Sequence, residues 1–565
     1  MDVPELVQFS AVAIILLLVF FYGGTFLVSL RIGRRKENAD NFMTAGNQVG
    51  FGISAASMTA TWIWASSMYA SATSGYTYGI SGPIHYGLWG ALMILFIYPF
   101  GRRIRQLAPR AHTLAEIMYA RHGRSSQLML AGSNVVGSLI SLMSNFIAGG
   151  VLISLLSPLN FIQGVLIIAS GVLLYTLWSG FRASVLTDVI QVLGMLGAVA
   201  ILIPIVFFAA GFPAAFESGA ANLTPAQGNF FSSEAFFNQG APYIAAVLAY
   251  AIGNQTIAQR LFAVREDLIK PTFVTAAVGY GATVIGIGMF GVLALYLGLD
   301  PLDGDVNNLI PQMAGTYLPA ALVALFFLLI LGALSSTADS DLAALSSIVM
   351  TDGYGHTVAG RAAADPRRML LVGRATMVVA TAAAVAFASM RLNILDLLVF
   401  VGALWGALVF PVIASFYWNK VTNKAFTVST LAAVAAFLPV RFGWVPTDGA
   451  SGFIIDVVSV VGVGVVLALM AFGFFGLRVA KIVGAVAIVV VAPFGIGFLH
   501  DYATLSGSLV AYAVSTVLCY VMSVRNPDSF DFATIKERVG DFDRDSDSTD
   551  ADGERPSRGE APVRG

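Results

Sequence analysis

Long runs of apolar residues, separated by short polar stretches, repeat along the whole chain. A helical run of about 20 apolar residues spans the ~30 Å hydrocarbon core of a bilayer. The pattern therefore predicts an all-α membrane protein of about 15 transmembrane helices. The predicted spans are 8–30, 48–72, 82–101, 127–156, 160–178, 184–211, 242–262, 272–297, 317–350, 371–390, 396–418, 424–440, 454–476, 482–499 and 505–524.

Composition supports a membrane protein, because 57% of the residues are hydrophobic and 11% are charged, against about 25% charged residues in soluble domains. The first apolar run follows an acidic start and lacks a small-residue cleavage site, which favours a membrane span over a signal peptide. The single cysteine, Cys519, excludes disulfides and thiolate metal sites within the chain. We expect the lipid bilayer as the environment of the protein and no nucleic-acid partner.

Basic residues fall on one side of the predicted membrane. With the N-terminus outside, 29 of the 31 lysines and arginines belong to the cytoplasmic loops, span ends and tail, and only Arg391 and Arg441 do not. Cytoplasmic loops of membrane proteins carry such an excess of positive charge. The prediction is a multi-pass protein of the cell membrane with the N-terminus outside and the C-terminus in the cytoplasm.

Two segments outside the spans differ in composition from the rest. Residues 525–565 are acidic and rich in Ser, Gly and Pro, which predicts a disordered cytoplasmic tail. The outer segment 212–241 has no strong helical pattern, and it is either an extracellular lid or a long connection. The predicted units are a first helix with its linker, a first repeat, an outer loop, a second repeat, additional C-terminal helices and the tail, at 1–47, 48–211, 212–241, 242–418, 419–524 and 525–565.

Spans two to six and spans seven to eleven form two sets of five. Because five is odd, the second set enters the membrane from the opposite side, as inverted repeats do. Within the second set, residues 333–341 place hydroxyls and carboxylates at the end of a long apolar run, where polar groups are costly. Ser336 and Thr337 offer adjacent hard oxygens for a small cation such as Na⁺. The structural alternative is that these hydroxyls bond back to the preceding helical turn.

Span two contains a segment, 57–67, that is dense in small, hydroxyl and aromatic residues. Such a segment tolerates a local break in the helix, and the carbonyls freed at the break can bind a cation. Trp62 and Trp64 are two residues apart, so they can line one pocket only if the helix is broken nearby. Tight helix packing by small residues is the alternative explanation of the segment.

Five motifs between residues 31 and 420 resemble those of the sodium:solute symporter family. They include Asp40-Asn41-Phe42-Met43-Thr44-Ala45-Gly46, a Gly-x-x-Ala-x-x-x-Thr-Asp-x-x-Gln signature and an Asn-Gln-x-x-x-Gln-Arg signature. Each motif is weak alone, but the five occur in the right order on suitable spans. Their ranges are 40–46, 180–191, 254–260, 333–341 and 346–354.

The resemblance implies the LeuT-type inverted-repeat fold, Na⁺ as the co-transported ion, no organic cofactor, and one sodium site between spans two and nine. The ligands that it implies are the carbonyls of Ala60, Ile63 and Ala333 and the hydroxyls of Ser336 and Thr337. It also implies that Asp188, near the cytoplasmic start of span six, receives sodium on its way inward. The alternative for Asp188 is a solvated acid in a first helical turn, which the helix dipole favours.

The substrate is predicted less directly. Gly79-Ile80-Ser81-Gly82-Pro83 and Trp62-Ile63-Trp64 resemble the urea-carrying branch of the family, whereas the proline carriers have an Asp-Met-Ser-Gly run at 62–65. A small neutral solute suits aromatic walls with a few donors and acceptors, although most membrane Trp and Tyr belong to the interface or the core. The candidate substrate-binding residues are Trp62, Trp64, Ser67, Tyr76, Tyr86, Tyr250 and Gln255.

The predicted function is sodium-coupled symport of a small polar solute by alternating access, with urea as the first candidate. The alternatives are sodium symport of proline, another amino acid or a small carboxylate and, in a different class, a passive urea channel. An enzyme is not expected, because the five histidines show no paired metal-ligand spacing and the glycine pairs lack the Lys-Ser/Thr of a phosphate loop.

Overall fold

The computed structural model describes residues 5–32, 39–47, 49–359, 364–540 and 542. Within these ranges the chain is helical, and its only strand-like pairing is an isolated bridge between Val49 and Val264. Twelve of the described helices are long and apolar enough to cross a membrane. The all-α prediction is confirmed.

The helices of the first half follow each other with short connections, and α10 and α11 are short helices within the outer segment 212–241. In chain order they are α1 (Ala11–Ile32), α2 (Ala39–Thr44), α3 (Phe51–Trp62), α4 (Ala65–Tyr78), α5 (Ser81–Leu95), α6 (Ile97–Leu107), α7 (Leu114–His122), α8 (Arg124–Leu156), α9 (Phe161–Ala209), α10 (Ala214–Gly219) and α11 (Ser233–Ala235).

The second half is also a series of helices, and it ends in a short helix beyond the last predicted span. Its helices are α12 (Ala241–Gly253), α13 (Gln255–Ala263), α14 (Ile269–Tyr296), α15 (Leu309–Tyr317), α16 (Ala320–Ile348), α17 (Pro366–Ala388), α18 (Ile394–Tyr417), α19 (Asn423–Arg441), α20 (Ala450–Gly495), α21 (Ala503–Val524) and α22 (Ala533–Arg538).

Two helices are too long for one crossing. The 49 residues of α9 and the 46 residues of α20 would each extend about 70 Å at 1.5 Å per residue, more than twice the ~30 Å hydrocarbon core. Each contains one non-helical glycine, Gly180 (φ 54°) in α9 and Gly476 (φ 78°) in α20, where the chain turns. The predicted loops 179–183 and 477–481 are thus reduced to glycine breaks, and the described residues contain about 15 crossings.

The division predicted between spans 127–156 and 160–178 is confirmed. Helix α8 ends at Leu156, and α9 begins after Asn160 with a capping box. The Asn160 side chain accepts a hydrogen bond from the Gln163 amide, and the Gln163 side chain accepts one from the Asn160 amide, both at 2.9 Å. These reciprocal bonds satisfy amides that a helix start leaves without partners.

The first span of each set of five is broken at mid-length. Between α3 and α4, Ile63 (ψ 71°) and Trp64 (ψ 141°) leave the helical conformation. Between α12 and α13, Asn254 (ψ 119°) does the same. The first break was expected from the 57–67 segment, whereas the second was not. Both lie at positions where discontinuous helices of transporters form binding sites.

The tail differs from its predicted disorder over residues 526–540 and at Phe542. These residues lie against one end of the helix bundle. We call this end, which includes Arg121 and Asn419, the tail face. The Phe530 amide donates to the Asn419 carbonyl at 3.0 Å, and the Arg121 guanidinium lies 4.1 Å from the Phe530 ring centre. Aromatic residues within this acidic segment thus bind it to the bundle, although its overall composition predicts disorder. Residues 541 and 543–565 of the predicted tail lie outside the described residues.

A cluster of four polar side chains on the tail face contacts Phe542 of the tail. We call these five residues the C-terminal junction: Asp40, His112, Glu116, His356 and Phe542. His112 Nε2 lies 2.7 Å from Asp40 Oδ1, and its Nδ1 lies 3.2 Å from Glu116 Oε2. The Phe542 amide donates to Asp40 at 3.0 Å, and the Phe542 ring contacts both imidazoles. The junction therefore ties α2, α7 and the segment after α16 to the tail.

Candidate ion and substrate site

The break between α3 and α4 turns two indole side chains toward one place. On a regular helix, Trp62 and Trp64 would point in directions about 200° apart. Because the helix is broken at Ile63 and Trp64, their rings instead meet edge to face, with centroids 5.2 Å apart. The Tyr250 ring lies 6.0 Å from Trp62 and 6.3 Å from Trp64. The local break thus builds an aromatic cluster in the middle of the bundle.

This cluster encloses a cavity of about 20 Å³, roughly the space of one water molecule. One buried donor at the cavity, the Trp64 Nε1–H, has no hydrogen-bond partner among the described residues. A buried donor without a partner is costly, and a ligand that accepts from it removes that cost. The residues that line the cavity are Trp62, Trp64, Ser67, Tyr86, Met93, Tyr243, Tyr250, Tyr280 and Leu398.

Five of the seven candidate substrate residues line this cavity: Trp62, Trp64, Ser67, Tyr86 and Tyr250.

The other two candidates lie elsewhere, which corrects the prediction. Tyr76 is twelve residues beyond Trp64, so the continuous α4 helix carries it about 18 Å away. Its hydroxyl lies 3.5 Å from Asp300 Oδ1. Gln255 follows the second break, and its side chain turns to α7, where it binds the Leu114 amide at 3.2 Å and the His112 carbonyl at 2.9 Å.

Four lining residues were missed: Met93, Tyr243, Tyr280 and Leu398. Tyr280 lies between two glycines, a pattern that is typical of close helix packing, and the Tyr280 side chain fits against Gly90 of α5. Nothing in the local sequence marks Tyr243, whose ring packs 5.0 Å from Tyr86. The rotation of α12 and α14 about their axes selects these side chains, and that rotation depends on contacts between distant segments.

The two segments of the predicted sodium site are in contact. The Thr337 hydroxyl donates to the Thr61 carbonyl at 3.0 Å and to the Ala333 carbonyl at 3.2 Å. Ala60 precedes Thr61, Ile63 lies two residues after it, and both are fully buried. Because the helix is interrupted at residues 63 and 64, the regular pairing of carbonyl oxygens across the break is also interrupted. Hard oxygens from α3 and α16 therefore converge beside the aromatic cavity.

Asp188 is the centre of the adjoining polar network. Its carboxylate accepts hydrogen bonds from the Ser336 hydroxyl at 2.5 Å and the Ser57 hydroxyl at 2.6 Å. The Arg260 guanidinium lies 3.1 Å from the same carboxylate and donates to the Ser57 hydroxyl at 3.1 Å. Asp188 is fully buried, so the alternative of a solvated acid at a helix start is wrong. Arg260, which follows the second break, was not singled out as a site residue.

A second buried carboxylate, Asp339, continues this network. It accepts from the Ser184 hydroxyl at 2.7 Å and from the Tyr175 hydroxyl at 2.9 Å. The Ser340 side chain connects Asp339 with Arg260, because Arg260 donates to the Ser340 hydroxyl at 2.7 Å and this hydroxyl is 3.2 Å from Asp339. Buried charges are stable when they are paired and fully hydrogen-bonded, and this network satisfies that condition for Asp188.

Comparison with known proteins bears directly on this arrangement. The model of the sodium:solute symporter family matches residues 42–431, which contain both broken helices and the carboxylate network. The chain belongs to the sodium:solute symporter family.

Individual relatives carry different substrates in their names. The chain is 25% identical over 435 residues to probable urea active transporter 1 of Schizosaccharomyces pombe, covering 72% of this chain and 65% of that protein. It is 26% identical over 436 residues to the sodium/pantothenate symporter of Escherichia coli, covering 73% of this chain and 87% of that protein. A urea-proton symporter of Oryza sativa, DUR3, is 29% identical over 192 residues, which are 33% of this chain and 27% of the relative.

A solved structure of a Na⁺-coupled sialic acid symporter in a substrate-bound outward-open state has a similar fold. The TM-score is 0.62 at 18% sequence identity, and the match covers 84% of this chain and 97% of that one. A nucleobase-cation-symport-1 family transporter in a closed conformation matches with a TM-score of 0.50 at 14% identity, over 88% of this chain and 98% of that one. Both likenesses support the LeuT-type fold class predicted from the sequence.

Proposed function

We propose that the protein is a secondary active transporter of the cell membrane that carries urea inward together with Na⁺ by alternating access. The observation that carries this proposal is the uncharged aromatic cavity beside the helix break. None of the described residues that line it bears a formal charge. A site of this kind suits a small neutral solute, because a charged substrate would be left without a counter-ion.

The donors at the cavity favour a solute with a strong acceptor. Trp64 Nε1–H has no acceptor among the described residues, and the Tyr243 hydroxyl has only the Tyr86 hydroxyl beside it, so a urea carbonyl can accept from both. The aromatic rings supply flat walls for a planar molecule. Proline, another amino acid or a small carboxylate would bring a carboxylate to a site that provides no cation, which makes them weaker candidates.

In this proposal Na⁺ binds where α3 and α16 meet. The carbonyls of Ala60, Ile63 and Ala333 and the hydroxyls of Ser336 and Thr337 supply the oxygen ligands. Ser336 donates its proton to Asp188, so lone pairs of its oxygen remain for a cation. Asp188 then receives the ion on its way to the cytoplasm. The N-terminus is outside, and the tail face is cytoplasmic.

Na⁺ binding and solute binding are coupled because both sites lie at the α3–α4 break. One interruption of the α3–α4 helix places the indoles at the cavity and releases carbonyls toward α16. Na⁺ binding there stabilises the conformation that the solute needs, and the solute in turn favours the ion site, as linkage requires. The cavity has room for roughly one water molecule, which favours a carrier that opens by a conformational change over a passive urea channel.

The test is counterflow and gradient-driven uptake in proteoliposomes with labelled urea, proline, acetate and glucose. We expect urea alone to exchange, and its net uptake to require an inward Na⁺ gradient. Tyr243→Phe should raise the urea KM about five- to tenfold, since one hydrogen bond contributes about 1 kcal/mol. Tyr512→Phe is the matched control, because the Tyr512 hydroxyl binds the Ala245 carbonyl outside the cavity. Exchange of another solute in place of urea, or urea flux indifferent to Na⁺, would contradict the proposal.

A further inference from the structure

Helix α8 carries a buried polar stripe along one of its faces. Successive members are separated by seven, four, three and four residues, a spacing that keeps them on one side of a helix. All are buried although the helix crosses the membrane. We call them the α8 stripe: Gln127, Asn134, Ser138, Ser141 and Asn145.

The α8 stripe faces an isolated carboxylate near the middle of the membrane. Ser141, close to the midpoint of α8, donates to Asp341 Oδ2 at 2.6 Å, and Ser138 also hydrogen-bonds to this carboxyl. Asp341 is 2% exposed and has no ion pair with any described residue. Asp188, by contrast, is paired with Arg260. An unpaired charge at this depth costs several kcal/mol or more, so Asp341 is held as the neutral acid.

The α8 stripe connects the substrate cavity with the tail face. At the cavity end, Asn145 Oδ1 lies 3.4 Å from the amide of Ser66, the neighbour of the cavity residue Ser67. At the other end, Gln127 Nε2 donates to Asp352 Oδ1 at 2.7 Å. Three buried oxygen atoms along this line have no hydrogen-bond partner in the part of the chain that the structure describes: Ser66 Oγ, Asn134 Oδ1 and Gln127 Oε1. Such atoms mark places where water is stabilised once the helices separate.

We propose that Asp341 is a proton-binding site and that the α8 stripe is the route by which its proton reaches the cytoplasm. This inference rests on the proposed function and adds a second coupling ion to it. When the outer side opens, the Asp341 carboxylate takes a proton from water. When the inner side opens, the O–H bond breaks, the proton passes to water along the stripe, and the carboxylate remains.

The surroundings of Asp341 fit a proton better than a metal ion. Asp341 and its partner Ser141 both lie in continuous helices, α16 and α8, whose carbonyls are engaged within the helix, so no further oxygen ligands for a cation are freed beside them. Only Arg260 among the neighbouring cations acts on Asp341, and its guanidinium is already engaged by Asp188. The other titratable groups of α16 and of the described segments packed around it are Tyr22, Asp40, Tyr69, Tyr76, Tyr78, Arg124, Tyr175, Asp188, Tyr317, Asp339, Asp352, Tyr354, His356, Arg367, Arg368 and Arg374.

The experiment measures labelled urea and lumenal pH together in proteoliposomes that contain the full chain and a pH-sensitive dye. With an inward Na⁺ gradient, we expect urea to acidify the lumen in the wild type. Asp341→Asn should reduce the urea-dependent proton flux at least tenfold and leave Na⁺-dependent urea binding within twofold. Asp341→Glu should retain the flux. Asp456→Asn is the matched control, because Asp456 is a buried carboxylate of α20 that binds His500 outside the core.

The outcomes separate this inference from the proposed function. Na⁺-driven urea uptake without a change in lumenal pH would overturn the proton site alone, as would an Asp341→Asn variant with wild-type proton flux. Absence of urea uptake in the wild type would overturn the proposed function itself. If Asp341→Asn fails to insert, Asn134→Leu interrupts the α8 stripe and keeps the carboxylate. Wild-type proton flux in that variant would exclude the route.

Discussion

The two broken helices of this protein differ in how each break is satisfied. At the break after α12, Asn254 caps its own helix, because its side-chain oxygen accepts from the Thr256 amide at 2.8 Å and the Ile257 amide at 3.3 Å. At the break after α3, no side chain caps α4, and the Ser66 amide is 3.4 Å from Asn145 of another helix. The hydrogen bonds that satisfy the α12–α13 break come from its own segment, whereas the α3–α4 break depends on residues of neighbouring helices.

This difference suggests different roles for the two breaks. A break that satisfies itself can act as a fixed joint, since nothing outside it has to change when the halves move. A break that relies on α8 and α16 responds to whatever occupies the space between them. We therefore assign ion and solute sensing to the α3–α4 break and mechanical pivoting to the α12–α13 break. The Thr337 and Asn254 variants below test that division, and the Arg260 and His112 variants test the contacts that hold α13 to the rest of the protein.

Arg260 joins the two breaks, and its loss should have the largest effect. It lies on α13 and reaches Ser57 on α3 and Asp188 on α9. Arg260→Ala leaves a buried carboxylate unpaired, which costs about 3–5 kcal/mol in the free energy of unfolding. The melting temperature in detergent measures this loss. A double Arg260→Gln, Asp188→Asn variant should recover part of the stability, and a variant pair with additive losses would contradict a direct interaction.

The next effect concerns the C-terminal junction, to which α13 is tied through Gln255. Burial alone would lower the pKa of His112, but Glu116 and Asp40 outweigh it and raise the pKa to about 10. A raised folded-state pKa contributes stability that is complete below the usual value near 6.5 and is lost as the pH rises through about 10. We expect the melting temperature to fall by several degrees between pH 6.5 and 10.

The pKa of Glu116, the partner of His112, is shifted in the opposite direction. Burial alone would raise the pKa of Glu116, but His112 and His356 hold it well below its usual range. The contribution of Glu116 therefore stays constant over the alkaline window, so the expected change belongs to His112. His112→Asn should flatten the pH dependence of the melting temperature. An unchanged slope in this variant would place the titrating group elsewhere.

Thr337 tests the α3–α4 break directly. Thr337→Ala removes the hydroxyl that meets the Thr61 and Ala333 carbonyls, and we expect the half-saturating Na⁺ concentration to rise about tenfold, or ~1.4 kcal/mol. Thr337→Ser keeps the hydroxyl and serves as the control. Uptake at graded Na⁺ concentrations measures the effect, and identical curves for wild type and Thr337→Ala would remove this residue from the ion site.

Asn254 tests the other break and should give the smallest effect. Asn254→Ala removes the cap of α13 at a cost of about 1 kcal/mol in stability, and Asn254→Asp should restore most of it. The half-saturating Na⁺ concentration should not change, since this break contributes no ligand. If Asn254→Ala raised the half-saturating Na⁺ concentration as much as Thr337→Ala does, both breaks would sense the ion, and the α12–α13 break would not be a simple pivot.

Prediction from sequence succeeded where local spacing determines the geometry. Two tryptophans at a spacing of two could share a pocket only across a broken helix, and the adjacent hydroxyls of Ser336 and Thr337 marked the segment of α16 that meets this break. It failed where orientation depends on tertiary packing. Tyr76 shares its helix with Trp64 but lies three turns away, and Tyr243 lines the cavity only because α12 presents that side to α5. The break at Asn254 was missed because a capping asparagine resembles an ordinary loop residue.

The position of the docked tail has a consequence for how the protein matures. Phe530, Phe532 and Phe542 follow the last crossing in chain order, yet they contact α2, α6 and α7, which are made near the beginning. The tail face therefore remains uncovered until α21 has been made. A chain that is shortened before this segment exposes arginines and histidines that Phe530, Phe532 and Phe542 would otherwise contact. The C-terminal junction thus closes only after the last crossing.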